Sequence, residues 1–495
     1  MFAWLQQFNW HDFVAWWHGF NWQDFFGWLV VFDTILEWAV RLIMLMIVPR
    51  RRSPAAAKGW LLLIFFFPWV GLFFFWLLGS RTLPRRYRDH HERLRTRLRD
   101  LRQRFENHRN IVHPDPGPPL SQAVNLAERL GGMPILGNNT AEFLADYQGA
   151  IDRLVADIES AQYHVHLLYY IFADDETGLR VLEALARAVR RGVVCRVLAD
   201  AVGSRAHLPS LTRKMTEAGV PFHALLPVRL LRGRFDLRNH CKMAVIDGRV
   251  GYTGSQNLVN PEFKKGIEYD ELVVRVAGPV VLELQAIFLG HWYGETEQLP
   301  EYLPWFHAPE APGTAAAQAL PSGPVYETEN AQLLFVSLIH AARERLILTT
   351  PYFVPDESFL QAIKTAALRG VDVHLIVSRK ADQFLVSQAQ KSYYEELLEA
   401  GVHIHLYQPR FLHAKHLSVD DSVVLIGSSN MDIRSFALNA EISLLFYDTN
   451  VAGQLREHEQ RYLANSEELS LDAWQQRPLR VQLLENCTRL LSPLL

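Results

Sequence analysis

Two segments of this chain are written on one template, and few folds accommodate both. NHCKMAVIDGRVGYTGSQN holds His240, Lys242, Asp247, Gly254, Ser255 and Asn257, and LHAKHLSVDDSVVLIGSSN holds His413, Lys415, Asp420, Gly427, Ser428 and Asn430. In both, Lys follows His by two residues, Asp by seven, Ser by fifteen and Asn by seventeen. A similar run of elements precedes each. HVHLLYYIF from His164 to Phe172 reads as a strand, a helical stretch runs through Leu182, Leu185 and Val189, and VVCRVLAD reads as a second strand. RLILTTPYF from Arg345, a helical segment ending near Arg369–Gly370, and VDVHLIVS repeat the plan, with Ala-Gly-Val landmarks at Ala218 and Ala400. The expected fold class is therefore α/β, with an internally duplicated unit.

Strand geometry gives the spacing a chemical meaning. Residues at i and i+2 share a face, so imidazole and ammonium reach one phosphate together while Cys241 and Ala414 turn to the core. Asp247–Gly248 and Asp420–Asp421 supply turn residues, and the Ser and Asn side chains that follow offer neutral donors to the same anion. Of two histidines, one can attack phosphorus while the other protonates the departing alkoxide. Their protonation states must differ at the outset, and lysines can stabilise the transition state without a metal. Glu271 in YDELVVRV and Glu441 in LNAEISLLF lie at comparable distances beyond their motifs and are candidates to orient an imidazole. Asp247 and Asp420 are read either with the catalytic set or as residues that shape the turn.

Composition narrows the rest. The 495 residues leave room for two domains, and a formal charge of -3 gives little support to nucleic-acid binding. Cys195, Cys241 and Cys487 form neither a disulfide framework nor a C-x-x-C pair, and the 20 histidines show no zinc-ligand spacing.

The N-terminal region reads as membrane-directed. Gly59 to Gly79 has no charged side chain and is long enough for a spanning helix, with Pro68 tolerated inside it. Phe25 to Val48 carries Asp33, Glu37 and Arg41 as one stripe, at a cost of about 8 kcal/mol on insertion scales unless it packs against a neighbour. A two-span hairpin is the expectation. An aromatic segment with the echo FNWHDF and FNWQDF precedes it, and ten arginines between Arg81 and Arg104 follow it. That basic collar places the catalytic region on the cytoplasmic side and leaves room for a homo-oligomer.

The paired motifs resemble the phospholipase D superfamily. YYIFADDETGLRVLEAL, TPYFVPD, GSSNMDIRSFALNAE and the terminal RLLSPLL are similar, more specifically, to the bacterial cardiolipin synthases. The resemblance implies two phospholipase D-like α/β domains sharing one active-site cleft behind a transmembrane helical hairpin, without metal or other cofactor. It implies transfer of a phosphatidyl group between two phosphatidylglycerols. His240 and His413 would be nucleophile and acid/base, Lys242 and Lys415 phosphate ligands, and Asn257 and Asn430 supporting donors, with Ser255 and Ser428 kept from the residue reading as further phosphate contacts. The family points to His240 as nucleophile, while near-symmetric halves leave the order open; its first post-motif acid is commonly Asp, where Glu271 stands here. The expected partition is an aromatic interfacial segment (1–24), the hairpin (25–80), a basic helix and linker (81–120), a first domain (121–311), a connection (312–324) and a second domain (325–495). The expected setting is the bacterial inner or cytoplasmic membrane, multi-pass, with phosphatidylglycerol and an anionic membrane as partners and no nucleic acid. A hydrolytic phospholipase D, a transferase using another alcohol, and a non-enzymatic scaffold are the rivals.

Overall fold

In the computed structural model, residues 21–51, 54–78, 110–227, 236–298, 312–326, 328–490 and Ser492 are described. Most of the aromatic segment, the arginine collar and the PVRLLRGRF loop after Pro227 lie outside them. The chain divides into two units, Met1–Arg81 and Thr82–Leu495.

The first unit corrects the expected hairpin. Its first helix, Trp22–Arg51, is 30 residues long, but Asp33, Glu37 and Arg41 interrupt its apolar run. The second apolar stretch breaks ahead of Pro68 into Pro54–Phe66 and Pro68–Leu78, of 13 and 11 residues, each short of the roughly 20 that a spanning helix needs. Arg41 pairs with Glu37 at 3.0 Å and donates to the Phe65 carbonyl at 3.1 Å, beside the break, while Trp69 donates to Asp33. Among the described residues no helix is long and apolar enough to cross a membrane. The expectation of a multi-pass inner-membrane protein falls with the hairpin.

The second unit is a duplicated α/β structure. The first repeat supplies β1 (Leu136–Leu144), β2 (His164–Tyr169), β3 (Val194–Asp200), β4 (Phe222–Leu225), β5 (Arg238–Asn239), β6 (Lys242–Ile246), β7 (Val250–Gly254), β8 (Tyr269–Asp270) and β9 (Val273–Ala277). The second supplies β10 (Ala315–Ser322), β11 (Arg345–Thr349), β12 (Phe353–Val354), β13 (Asp372–Ser378), β14 (His403–Tyr407), β15 (Phe411–Leu412), β16 (His416–Val419), β17 (Val423–Gly427), β18 (Met431–Asp432), β19 (Asn439–Phe446) and β20 (Ser466–Glu468). Inside β20, the strands run β14-β13-β11-β16-β17-β19-β10 and then β1-β9-β7-β6-β2-β3-β4. The second series mirrors the first across the antiparallel β1–β10 pair.

This order revises the reading of residues 312–324. The stretch PGTAAAQALPSGP, taken from sequence as a connection, holds β10, which pairs with β1 on one side and β19 on the other. Its small side chains suit that position, because Ala315, Ala317 and Ala319 lie in the core shared by both repeats. Cys241 and Ala414 also lie in that core. Separate clusters fill the outer face of each repeat under its helices. Asp175 and Asp356 cap the matching helices Glu176–Arg190 and Glu357–Leu368 through the N–H groups of Gly178 and Phe359.

Each motif Asp sits at a hairpin turn. Asp247 and Gly248, and likewise Asp420 and Asp421, have positive φ, and the turns close through Arg249 N–H to Ile246 O and Ser422 N–H to Val419 O. The Asp247 carboxylate accepts from the N–H groups of Gln162, Tyr163 and His164, each at 2.8 Å. Asp420 does the same for Arg343, Glu344 and Arg345 at 2.8–3.0 Å. Both therefore fasten the start of the neighbouring antiparallel strand, β2 or β11, five residues and about 16 Å along the strand from the motif lysine. Replacing Asp247 by Ala strands three backbone donors and should cost about 2–4 kcal/mol of unfolding free energy. Denaturant titration checks this, and a midpoint equal to wild type would contradict the turn-fastening role.

Candidate active site

The two motif histidines are held by short strands that cross between the repeats. β5, just before His240, pairs in parallel with the start of β19 of the second repeat, and β15, just before His413, pairs with β8 of the first. His240 N–H then donates to Ala440 O, and His413 N–H to Asp270 O, each at 2.8 Å. The next residue after each acceptor is a glutamate. His240 Nδ1–H therefore donates to Glu441 at 2.9 Å, and His413 Nδ1–H to Glu271 at 2.8 Å. Each carboxylate serves the histidine of the other repeat. With Nδ1 committed, Nε2 of each ring is the nitrogen left for chemistry.

The lysines complete one shared site. Lys242 and Lys415 are both about 1% exposed, and each donates back to its own histidine's carbonyl, at 2.8 and 2.6 Å. Lys415 acts electrostatically on His240, and Lys242 on both His413 and Lys415. Burial is the largest influence on all four groups. It pulls His413 down to about 4, against the opposing pull of Glu271, and lowers His240 against that of Glu441. It brings Lys242 down to about 8 and Lys415 to about 7, although the glutamates resist. Burial also pushes Glu271 and Glu441 upward, but their histidines and lysines outweigh it and hold both below the usual carboxylate range. Before substrate arrives, burial thus weighs against the charged form of both rings. An arriving phosphodiester anion favours the imidazolium form and can restore one proton.

The remaining expected site residues have other partners. Ser428 Oγ donates to Glu441, and Ser255 Oγ bonds to the Leu272 backbone beside Glu271, so the serines brace the carboxylates. Asn257 Oδ1 accepts from Ile171 N–H, which turns its NH2 end into the available donor. Asn430 is 5% exposed, next to Ser428 and Ser429. Sequence reasoning passed over the rings beside the histidines. Tyr170 lies 4.8 Å from His240, with Lys242 above its face, and Tyr269, Tyr352 and Phe411 surround His413. The YYIF and TPYF strings carried two of these tyrosines. Asp200 and Arg238, a buried pair at 3.4 Å behind His240, left no signal of their own. Among the described residues, no group of three or more His, Cys, Asp or Glu side chains is arranged to hold a metal ion.

Two H-x-K strands that exchange carboxylates across an internal two-fold make this a phospholipase D-like α/β protein. Residues 154–292 and 335–463 match the family described as "Cardiolipin synthase, PLD-like domain". The chain is 34% identical over 490 residues to cardiolipin synthase A of Pectobacterium carotovorum subsp. carotovorum, covering 94% of this chain and 99% of that one. It is 35% identical over 484 residues to cardiolipin synthase of Geobacillus kaustophilus, covering 94% of each. The chain belongs to the cardiolipin synthase family of phospholipase D-like proteins. Phosphatidylserine synthase of Haemophilus influenzae is similar in fold, with a TM-score of 0.59 at 16% identity over 76% of this chain and 100% of that one.

Two outcomes follow for the charged site. Glu441→Gln and Glu271→Gln each remove the carboxylate charge that fixes and stabilises an Nδ1–H imidazole and put an NH2 donor in competition with its acceptor, and each should lower turnover by about 10²–10⁴-fold. Steady-state rates on folded protein check this; a loss confined to one of the two would break the reciprocal scheme. Only a protonated ammonium attracts the phosphodiester, so kcat/KM should fall as pH rises past the Lys415 and Lys242 values of about 7 and 8. A pH profile still rising at pH 9 would contradict that assignment.

Proposed function

We propose that this chain makes cardiolipin, moving a phosphatidyl group from one phosphatidylglycerol to a second through a phosphohistidine and releasing glycerol. The observation that carries the reading is the pair of Nδ1-anchored histidines in one site with two buried lysines, in a member of the cardiolipin synthase family. Residues 121–311 and 312–495 are the two domains that supply its halves.

The chemistry runs in two displacements. Nε2 of one histidine attacks phosphorus; the P–N bond forms as the P–O bond to the headgroup glycerol breaks, and the other histidine gives its Nε2 proton to the departing oxygen. The second phosphatidylglycerol then brings a glycerol hydroxyl to the same phosphorus. Its proton passes to the now neutral acid/base histidine, the new P–O bond forms and the P–N bond breaks. Lys242 and Lys415 balance the phosphoryl oxygens throughout, with the NH2 groups of Asn257 and Asn430 as neutral donors. The glutamates keep each ring in one tautomer and stabilise it when it is charged. One phosphodiester replaces another, so no nucleotide is needed and added glycerol drives the reverse reaction. Both substrates are anionic lipids, so an anionic lipid surface is the working partner.

The test uses purified full-length protein with phosphatidylglycerol vesicles, scoring cardiolipin, phosphatidic acid and glycerol. Cardiolipin and glycerol should appear in equal amounts. His240→Ala and His413→Ala should each lower multiple turnover by about 10³-fold or more, and the variant lacking only the acid/base histidine should retain a phosphatidyl adduct on the other. Near-wild-type turnover in either folded variant would sink the paired mechanism. Phosphatidic acid as the main product at high lipid density, with no reversal by glycerol, would make the chain a hydrolase.

A further inference from the structure

One carboxylate gathers donors from both repeats beside His413. Asp382 Oδ2 accepts from Tyr352 Oη at 2.7 Å, from Tyr269 Oη at 3.0 Å and from the Lys264 ammonium. Lys264 and Tyr269 come from the first repeat, Tyr352 and Asp382 from the second. The Asp382 side chain is 1% exposed, so these bonds form out of water and are charge-assisted. Burial raises the acid's pKa, but Lys264 and the two phenols outweigh it and keep it ionised. Burial, reinforced by Asp382, pushes both phenols upward, so they remain donors.

The rings so anchored are the wall of His413. The Tyr269 and Tyr352 centroids stand 5.4 and 6.4 Å from the imidazole, at interplanar angles of 83° and 74°. Tyr147, Ile267 and Phe411 join them in one apolar cluster. The His240 side is built differently. Counting back from the matched helix caps Asp175 and Asp356, Ile171 stands where Tyr352 stands. Counting along β3 and β13 from their matched pairings with β2 and β11, Asp200 stands where Ser378 stands. Among the described residues the clamp belongs to the His413 side alone.

We propose that Asp382 is a positioning residue that holds Tyr269 and Tyr352 against His413, keeps bulk water from the phosphohistidine stage, and so sets the ratio of transfer to hydrolysis. The inference rests on the phosphohistidine reading above. At that stage two nucleophiles compete for one phosphorus. A lipid hydroxyl breaks the P–N bond to give cardiolipin, water breaks it to give phosphatidic acid, and either passes its proton to the acid/base histidine. Both routes use the same lysines, glutamates and histidines, so a residue that acts only through water access changes the ratio of products rather than their sum.

Wild type, Asp382→Asn and Tyr352→Phe are compared in phosphatidylglycerol vesicles, with cardiolipin and phosphatidic acid measured together and melting temperature recorded. Asp382→Asn should move the ratio toward phosphatidic acid by about tenfold, which corresponds to about 1.4 kcal/mol. Tyr352→Phe, which keeps the ring and removes only its anchoring hydroxyl, should move it the same way by less. Because both changes act on the Tyr352–Asp382 bond, the double variant should shift the ratio by less than the product of the single shifts. A proportional fall of both products, or an unchanged ratio, would overturn the proposal. Where Asp382→Asn fails to fold, Tyr352→Phe decides. A wild type that yields phosphatidic acid without cardiolipin overturns the transferase reading, whereas a variant ratio equal to a synthase-like wild type overturns only the role of Asp382.

Discussion

The exchange of carboxylates between the repeats is the constraint on which this site depends. His240 takes Glu441 and His413 takes Glu271, so each motif histidine finds its carboxylate in the other repeat. The exchange is built into the backbone before it reaches the side chains. β5 lies on β19 and β15 on β8, which delivers each histidine's own N–H to the carbonyl one residue before the opposing glutamate. Two short ladders thus fix ring position, and the glutamates fix ring orientation. The mirrored strand order about β1 and β10 lets both ladders form at once.

Burying four ionisable groups around two histidines is costly, and the arrangement is informative for that reason. Two ammonium groups and two carboxylates leave the site formally balanced without substrate, with the serines and backbone carbonyls taking up further hydrogen bonds. An apolar core of the same shape would cost less to fold. What the charges provide is a site already polarised for a phosphodiester, so little reorganisation is required when negative charge builds on phosphoryl oxygens. The depressed lysine values express the same cost: burial weighs against each ammonium more than the nearby glutamates favour it.

Much of this was legible in the sequence, and the gaps have physical causes. Strand periodicity and the repeated H-x-K spacing were sufficient for the duplicated α/β unit, for the inward-facing lysines, and for Cys241 and Ala414 turning to the core. The sequence could nominate Glu271 and Glu441 but not say which histidine each serves, because that choice depends on strands from different repeats meeting. It left Asp247 and Asp420 between the chemistry and the turn because they share the motif and precede the hairpin, whereas their hydrogen bonds lie with the backbone of β2 and β11. Alanines between prolines read as a connection at 312–324, since a strand packed among close neighbours has no large side chains to announce it. Hydropathy alone read Gly59 to Gly79 as one span; the break ahead of Pro68 divides it.

A duplicated scaffold gives two equivalent histidines, yet the reaction needs them to do different things. The difference must come from what surrounds the rings. Behind His240, Asp200 accepts from Asn239 N–H and pairs with Arg238, a polar and charged backing. At the matching place behind His413, Ser378 Oγ accepts from Leu412 N–H, and Phe411 occupies the position of Arg238. The same backbone bond is made on both sides, by an ion-paired carboxylate on one and a hydroxyl on the other. Tyrosines then enclose His413, while among the described residues Tyr170 is the ring that faces His240. Symmetry thus survives in the parts that hold the rings and is lost in the parts that decide their surroundings. That is the division expected where two copies of one unit share a covalent intermediate and a proton between them.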